Sequence, residues 1–111
     1  MTDKSFYLWL HPYNYRICYG ITTALNRRRK KYEAHAGFDV EFSYVVTDKS
    51  HKIDELEQRL KDIVAKTKNN WKSYEWINGD IGYNSVIELV EFHRKDLLIQ
   101  DPIINLNIIE E

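Results

Sequence analysis

Arg27, Arg28, Arg29, Lys30 and Lys31 follow one another without a break, and further on Glu57 interrupts an apolar series at Ile53, Leu60 and Val64. Both features call for a partner of opposite charge. A guanidinium presents a planar fork that matches a carboxylate or a phosphate. A carboxylate inside an apolar helical stripe needs a cation, because burying it unpaired is costly. Two chemistries satisfy both groups. Arg28 can neutralise Glu57 in a purely structural ion pair. Alternatively, Arg28 takes a phosphate and Glu57 takes a divalent cation that keeps most of its water, the usual manner of Mg²⁺ at phosphodiester sites. Spacing alone leaves the two open.

Helical geometry sorts the basic run. Leu25, Arg28, Tyr32 and His35 recur at intervals of three and four, so they share a face. Leu25 and Tyr32 mark that face as the one packed on the rest of the protein. Arg28 is then the one arginine of the three expected to point inward. Arg27, Lys30 and Lys31 are left for solvent or a phosphate backbone. Two residues of the N-terminal hairpin complete the candidate pocket. Tyr7 can lie beside a second strand on which Cys18 and Gly20 share one face and Ile17 and Tyr19 the other. Tyr7 is otherwise a core aromatic, and Cys18 a small buried hydrophobe.

The elements that must position these groups are legible as periodicities. "SFYLWLH" (5–11) and "RICYGI" (16–21) read as strands joined by a turn at "PYNY". A helix is expected from Thr23 to about Ala36, capped at Thr22 or Thr23 and closed by Gly37. "FDVEFSYVV" (38–46) alternates and predicts a third strand. Residues 50–67 form the clearest amphipathic helix, with Ile53, Leu56, Leu60, Ile63 and Val64 on one stripe. Residues 84–98 predict a last helix with Val86, Ile87, Val90 and Leu97 on one side. The order predicts an α+β fold, a small antiparallel β-sheet of about three strands with an N-terminal hairpin, flanked by helices.

The chain's 111 residues fit one domain, near the common size of about 100–150 residues. Its core is expected over about 5–98, with 99–111 as a C-terminal tail or edge strand. A hydrophobic content of 43% with 14% aromatic residues argues against disorder. The basic run sits in a chain of net charge −1, leaving −6 on all other residues. A local basic patch on an acidic body still attracts phosphate, because the field that matters is local. One cysteine excludes an internal disulfide and fits a reducing compartment. The apolar piece "FYLWL" is too short for a secretory signal, and no run approaches the roughly 20 apolar residues of a membrane span. The expectation is a cytoplasmic protein with no membrane partner.

With Tyr7, Gly20, Arg28 and Glu57 in place, the chain resembles the GIY-YIG nuclease family. "SFY" (5–7) corresponds to the first motif and "CYG" (18–20) to the second, with Cys18 where the second motif has its tyrosine. Arg28 stands at the family's arginine and Tyr32 where many members have His or Tyr. "IDELEQRL" (53–60) is similar to the segment that bears the metal-binding glutamate, which maps to Glu57. "YEWI" (74–77) is similar to a signature of a phage-type subclass. The resemblance spans about residues 5–95.

The resemblance implies a magnesium- or manganese-dependent DNA endonuclease or nickase from a phage or mobile element. Tyr7 would act as, or orient, the general base. Its reference pKa of about 10 has to be lowered by a neighbouring cation or metal. Glu57 would hold one Mg²⁺ or Mn²⁺, and Arg28 would bind the scissile phosphate. Tyr32 or His35 would assist proton transfer. Arg27, Lys30 and Lys31 would touch flanking phosphates without reading sequence. A double-strand break would require two copies, as in a homodimer, or two encounters. Two other readings stand beside this one: a catalytically impaired DNA-binding domain, and a protein-interaction (inhibitor) module using the apolar "IINLNII" segment.

Overall fold

In a computed structural model, residues 3–11, 16–65, 76–78 and 82–104 are described. Strand β1 (Asp3–Leu10) is the organising element: Ser5 through Trp9 are all buried, so it is covered on both faces. It pairs antiparallel with β2 (Arg16–Thr22) on one side and with β3 (Tyr44–Lys49) on the other. Two short strands finish the sheet. β4 (Trp76–Asn78) pairs with β2 and β5 (Ile103–Ile104) with β3, giving the order β4-β2-β1-β3-β5, antiparallel throughout. The fold is therefore α+β, with an N-terminal hairpin. The sheet has five strands among the described residues rather than about three. Three-residue and two-residue strands carry too little alternation to stand out in a sequence.

Alternation along β1 divides the protein into two unequal layers. Phe6 and Leu8 face α2 (Ser50–Ala65) and α3 (Tyr83–Asp96), where they join Ile17, Tyr19, Tyr44, Val46, Ile53, Leu56, Leu60, Val86, Val90 and Ile99. On the other face Tyr7, Trp9 and Cys18 meet α1 (Leu25–Ala36) and the segment that follows it. Twelve apolar residues are buried in the first layer and four in the second. At roughly 1.5–3 kcal/mol for each large apolar side chain fully buried, the α2/α3 layer holds most of the stability. Helix α1 contributes no fully buried residue. It is a polar helix set on a stable sheet, the usual condition for an element spared for function.

The stretch 38–42 is not part of the third strand as its alternation predicts. Gly37 takes φ 78° and donates to the Glu33 carbonyl at 2.9 Å, ending α1 in a left-handed cap. The chain then crosses beneath α1, where Phe38, Val40 and Phe42 pack with Tyr7 and Trp9. The Val40 amide is taken by Glu33 Oε2 at 2.8 Å instead of a ladder partner. At Ser43 both the amide and the hydroxyl turn to the Leu8 carbonyl, at 3.0 and 3.3 Å. Beyond this kink Tyr44 lies on the opposite face, against Phe6. Period two survives in the sequence because the segment is extended, but it fills a layer and forms no ladder.

The end of α3 is fixed by a buried cation that the apolar pattern conceals. Arg94 is 5% exposed, donates from Nη1 to the Ile99 carbonyl at 2.9 Å, and pairs with Glu91, which also accepts from the Tyr44 hydroxyl at 2.8 Å. This network ties the 97–104 segment to α3 and β3. Among the described residues, no helix is long and apolar enough to cross a membrane.

Candidate functional site

The site grows from the register of the hairpin. Tyr7 stands directly opposite Gly20, and Trp9 opposite Cys18, so Tyr7, Cys18 and Gly20 share the α1 face. Gly20 presents no side chain there. Tyr32, descending from α1, brings its hydroxyl 2.6 Å from the Tyr7 hydroxyl, and the Cys18 thiol donates to the same Tyr32 oxygen at 3.3 Å. The two phenol rings meet edge to face, with centroids 6.0 Å apart. Trp9 holds the other side of Tyr32 at 5.2 Å.

Arg28, one turn before Tyr32, completes the group. Burial works against its charge, but the neighbouring phenols of Tyr7 and Tyr32, chiefly through their charge when ionised, outweigh that and hold its pKa above the ordinary value. The Tyr32 phenol moves far upward, first through burial and then through its contacts with Cys18 and Tyr7. Tyr32 therefore keeps its proton at any ordinary pH. Tyr7 itself is fully buried, and Phe42 stacks on its ring with centroids 4.5 Å apart and planes at 25°.

The remaining residues of the basic helix separate into two sets. Arg27, Lys30, Lys31 and His35 are exposed. Arg28 is not the only arginine turned inward, as helical phase suggested. Arg29 is also half-buried, with Nη1 3.1 Å from Glu33 Oε2, the oxygen that accepts the Val40 amide. The reason is local: once Glu33 turns to Val40, the residue four before it gains a half-buried carboxylate to pair with.

Glu57 lies elsewhere. It is buried on α2, whose apolar residues pack on the Phe6 and Leu8 face, so the sheet stands between this helix and the Tyr7 face. Lys61 Nζ approaches Glu57 Oε1 at 3.4 Å. The structure thus joins Tyr7, Arg28 and Tyr32, adds Cys18, and leaves Glu57 and His35 outside the cluster. Among the described residues, no group of three or more His, Cys, Asp and Glu could hold a metal ion. Of "YEWI", Tyr74 and Glu75 lie outside the described residues, and Trp76 and Ile77 belong to β4.

Two participants were not legible as such in the sequence. Cys18 carries no signal of its partnership with Tyr32, which depends on α1 crossing β2. Phe42 looks like a strand residue, and only the Gly37 cap, which sends the chain under α1, hints at its place over Tyr7. Comparison with protein-family models, with curated proteins and with solved structures finds no match for this chain.

Proposed function

We propose that the α1 face binds a DNA phosphodiester and hydrolyses it, making the protein an endonuclease or nickase. One observation carries the reading: the hydroxyls of Tyr7 and Tyr32 meet at 2.6 Å beside a half-buried arginine. The rings stabilise this layer by their burial, but the hydroxyl contact adds little to that and has much to do for an anion. Arg28 supplies a guanidinium that can grip two phosphate oxygens and match the charge gained in the transition state. The Tyr7 oxygen, faced by Arg28 and by the Tyr32 hydroxyl, has both a positive neighbour and a donor to stabilise a phenolate. That phenolate takes the proton of the attacking water. The water oxygen forms the new bond to phosphorus, and the leaving oxygen departs with a proton from solvent. The exposed Arg27, Lys30 and Lys31 contact neighbouring phosphates. The resemblance to GIY-YIG nucleases supports the same assignment.

Access requires movement. Tyr7 is fully buried, with Phe42 stacked on its ring, so a covering group must shift before water and phosphate reach the hydroxyl. The divalent metal that the resemblance assigns to Glu57 does not fit the residues around Tyr7. The Glu57 carboxylate is carried by a helix on the other face and is approached by Lys61. The covering of Tyr7 favours one second reading, a domain that grips DNA through Arg28 and the exposed lysines without cutting it.

Supercoiled plasmid distinguishes the two. Wild type nicks it while Tyr7→Phe and Arg28→Ala do not, if the first reading holds. Identical traces for all three, with DNA binding retained, leave only the second.

A further inference from the structure

Glu33 is a half-buried carboxylate on α1 that the mechanism above leaves unused. Its Oε2 accepts the Val40 amide at 2.8 Å, and Arg29 Nη1 donates to the same oxygen at 3.1 Å. Val40 is buried at the middle of 38–42, with Phe38 and Phe42 on either side packed into the same layer as Tyr7 and Trp9. The segment belongs to no ladder, and its alternate residues Asp39 and Glu41 are exposed. It is fastened at one end by the Gly37 cap and at the other by Ser43, which donates to the Leu8 carbonyl. Between those ends Glu33 supplies a polar tie from α1.

We propose that 38–42 is a strap over Tyr7, and that Glu33 is the positioning residue that holds it shut. The groups around Tyr7 differ in what their movement would do. Gly20 and Val45 flank it in the sheet and are fixed by the ladders. Tyr32 meets it from α1, and moving that helix would carry Arg28 and Tyr32 away and take the site apart. Phe42 stacks on its ring from the strap. Moving the strap uncovers the ring and leaves Tyr7, Arg28 and Tyr32 together. That opening breaks no ladder bond, and Gly37, at φ 78°, stands at its start as a pivot free of a side chain. The three apolar side chains keep the strap down. Glu33 sets how seldom it lifts, because an amide bonded to a carboxylate is held more firmly than one bonded to a neutral oxygen.

The strap's purpose rests on the proposed role of Tyr7 as base, yet its test needs no DNA. Hydrogen exchange followed by NMR reads the Val40 amide, and nitration by tetranitromethane, mapped by mass spectrometry, reads Tyr7. Glu33→Ala puts the best helix former in place of the carboxylate. It should speed both reactions about tenfold, the loss of a bond to a charged group, and leave the β1 amides as protected as in wild type. Glu33→Gln, which keeps an oxygen for the amide, should restore most of the protection. Arg29→Ala removes only the ion pair and should change neither reaction by more than about twofold. An unchanged Val40 amide in Glu33→Ala overturns the proposal. So does a faster Val40 amide with Tyr7 no more reactive, or with the β1 amides accelerated alongside it. Should Glu33→Ala not fold, wild type decides. Strap opening makes Val40 exchange insensitive to low urea while β1 exchange responds to it, and a Val40 amide that exchanges only together with β1 overturns the strap. Tyr7 nitrated in Glu33→Ala, with plasmid untouched by either protein, rejects hydrolysis and upholds the strap.

Discussion

The phenolic oxygens of Tyr7 and Tyr32 lie 2.6 Å apart, although 25 residues separate them in sequence. Tyr7 comes from the central strand and Tyr32 from the helix laid across it. The contact is made in the thinner of the two layers, where α1 has no fully buried side chain. A hydrogen bond of this kind contributes about 1 kcal/mol net, so ring burial and not the hydroxyl contact supplies this layer's stability.

Tyr32→Phe removes the donor facing Tyr7 while keeping the ring. The melting temperature should fall by no more than about 1 kcal/mol allows. Nicking should fall by about 10²-fold, the lower range for a group assisting proton transfer. The alkaline rise of rate with pH should also move upward, because Tyr7 loses a donor that favours its phenolate. An unchanged pH profile would remove Tyr32 from the reaction.

Arg28→Ala and the pair Lys30→Ala, Lys31→Ala should separate recognition of one phosphate from general attraction. Each cation that contacts a phosphate contributes about one to the slope of log affinity against log salt. The double lysine variant should flatten the slope by about two and leave the cleavage step of bound DNA unaltered. Arg28→Ala should flatten it by about one and also stop cleavage. Fluorescence anisotropy over a salt series reads the first effect, and single-turnover nicking the second.

Phe42→Ala strips the ring stacked on Tyr7. Truncation of such a ring costs about 3 kcal/mol, read by urea unfolding. Below the melting point, Tyr7 should become reactive toward tetranitromethane, which modifies accessible tyrosines. Nitration mapped by mass spectrometry and confined to other tyrosines would mean that something besides Phe42 covers the hydroxyl.

Glu57 tests the metal. Its partner Lys61 has a side chain 42% exposed, so replacing Glu57 by leucine leaves the lysine in water and not as a buried unpaired charge. Glu57→Leu should melt no lower than wild type, and millimolar Mg²⁺ or Mn²⁺ should leave the wild-type melting temperature in place. A metal-dependent rise that the variant lacks would restore Glu57 as a ligand.

Glu91 gives the fold an acid limit. Burial alone pushes its pKa up, but the bonds from Arg94 and Tyr44 outweigh that and leave it below its ordinary 4.5. A carboxylate depressed in the folded state stabilises above its unfolded pKa, and that contribution is lost as pH falls through the folded value. Wild type should hold its stability from pH 7 to about pH 5 and lose it below 4.5. Glu91→Gln should start about 2 kcal/mol lower at pH 7 and show a flatter acid limb, as read by thermal melts across pH 3–7.

Much of the frame was legible in the residues. Phe6 and Leu8 against Tyr7 and Trp9, the stripe Ile53, Leu56 and Leu60, and the stop at Gly37 are local patterns. Local patterns follow from the two-residue and 3.6-residue periods of the backbone. The same periods gave Leu25, Arg28 and Tyr32 a common face and paired Cys18 with Gly20. Where the reading failed, the period was present but the partner was not. Residues 38–42 alternate yet bond to Glu33 and fill a layer, and Arg94 occupies an apolar position because carbonyls at Ile99 and Gln100 await it.

By itself, then, the sequence determined which residues share a strand face or a helix face, since that depends only on spacing along the chain. It could not determine which face of the sheet each helix covers. That choice is made by matching whole surfaces, and it settles the chemistry here. α1 brings Arg28 and Tyr32 to Tyr7 and Cys18, while α2 carries Glu57 to the opposite layer. Residues far apart in sequence meet only when the packing of every element is fixed at once, and the candidate site exists at that level alone.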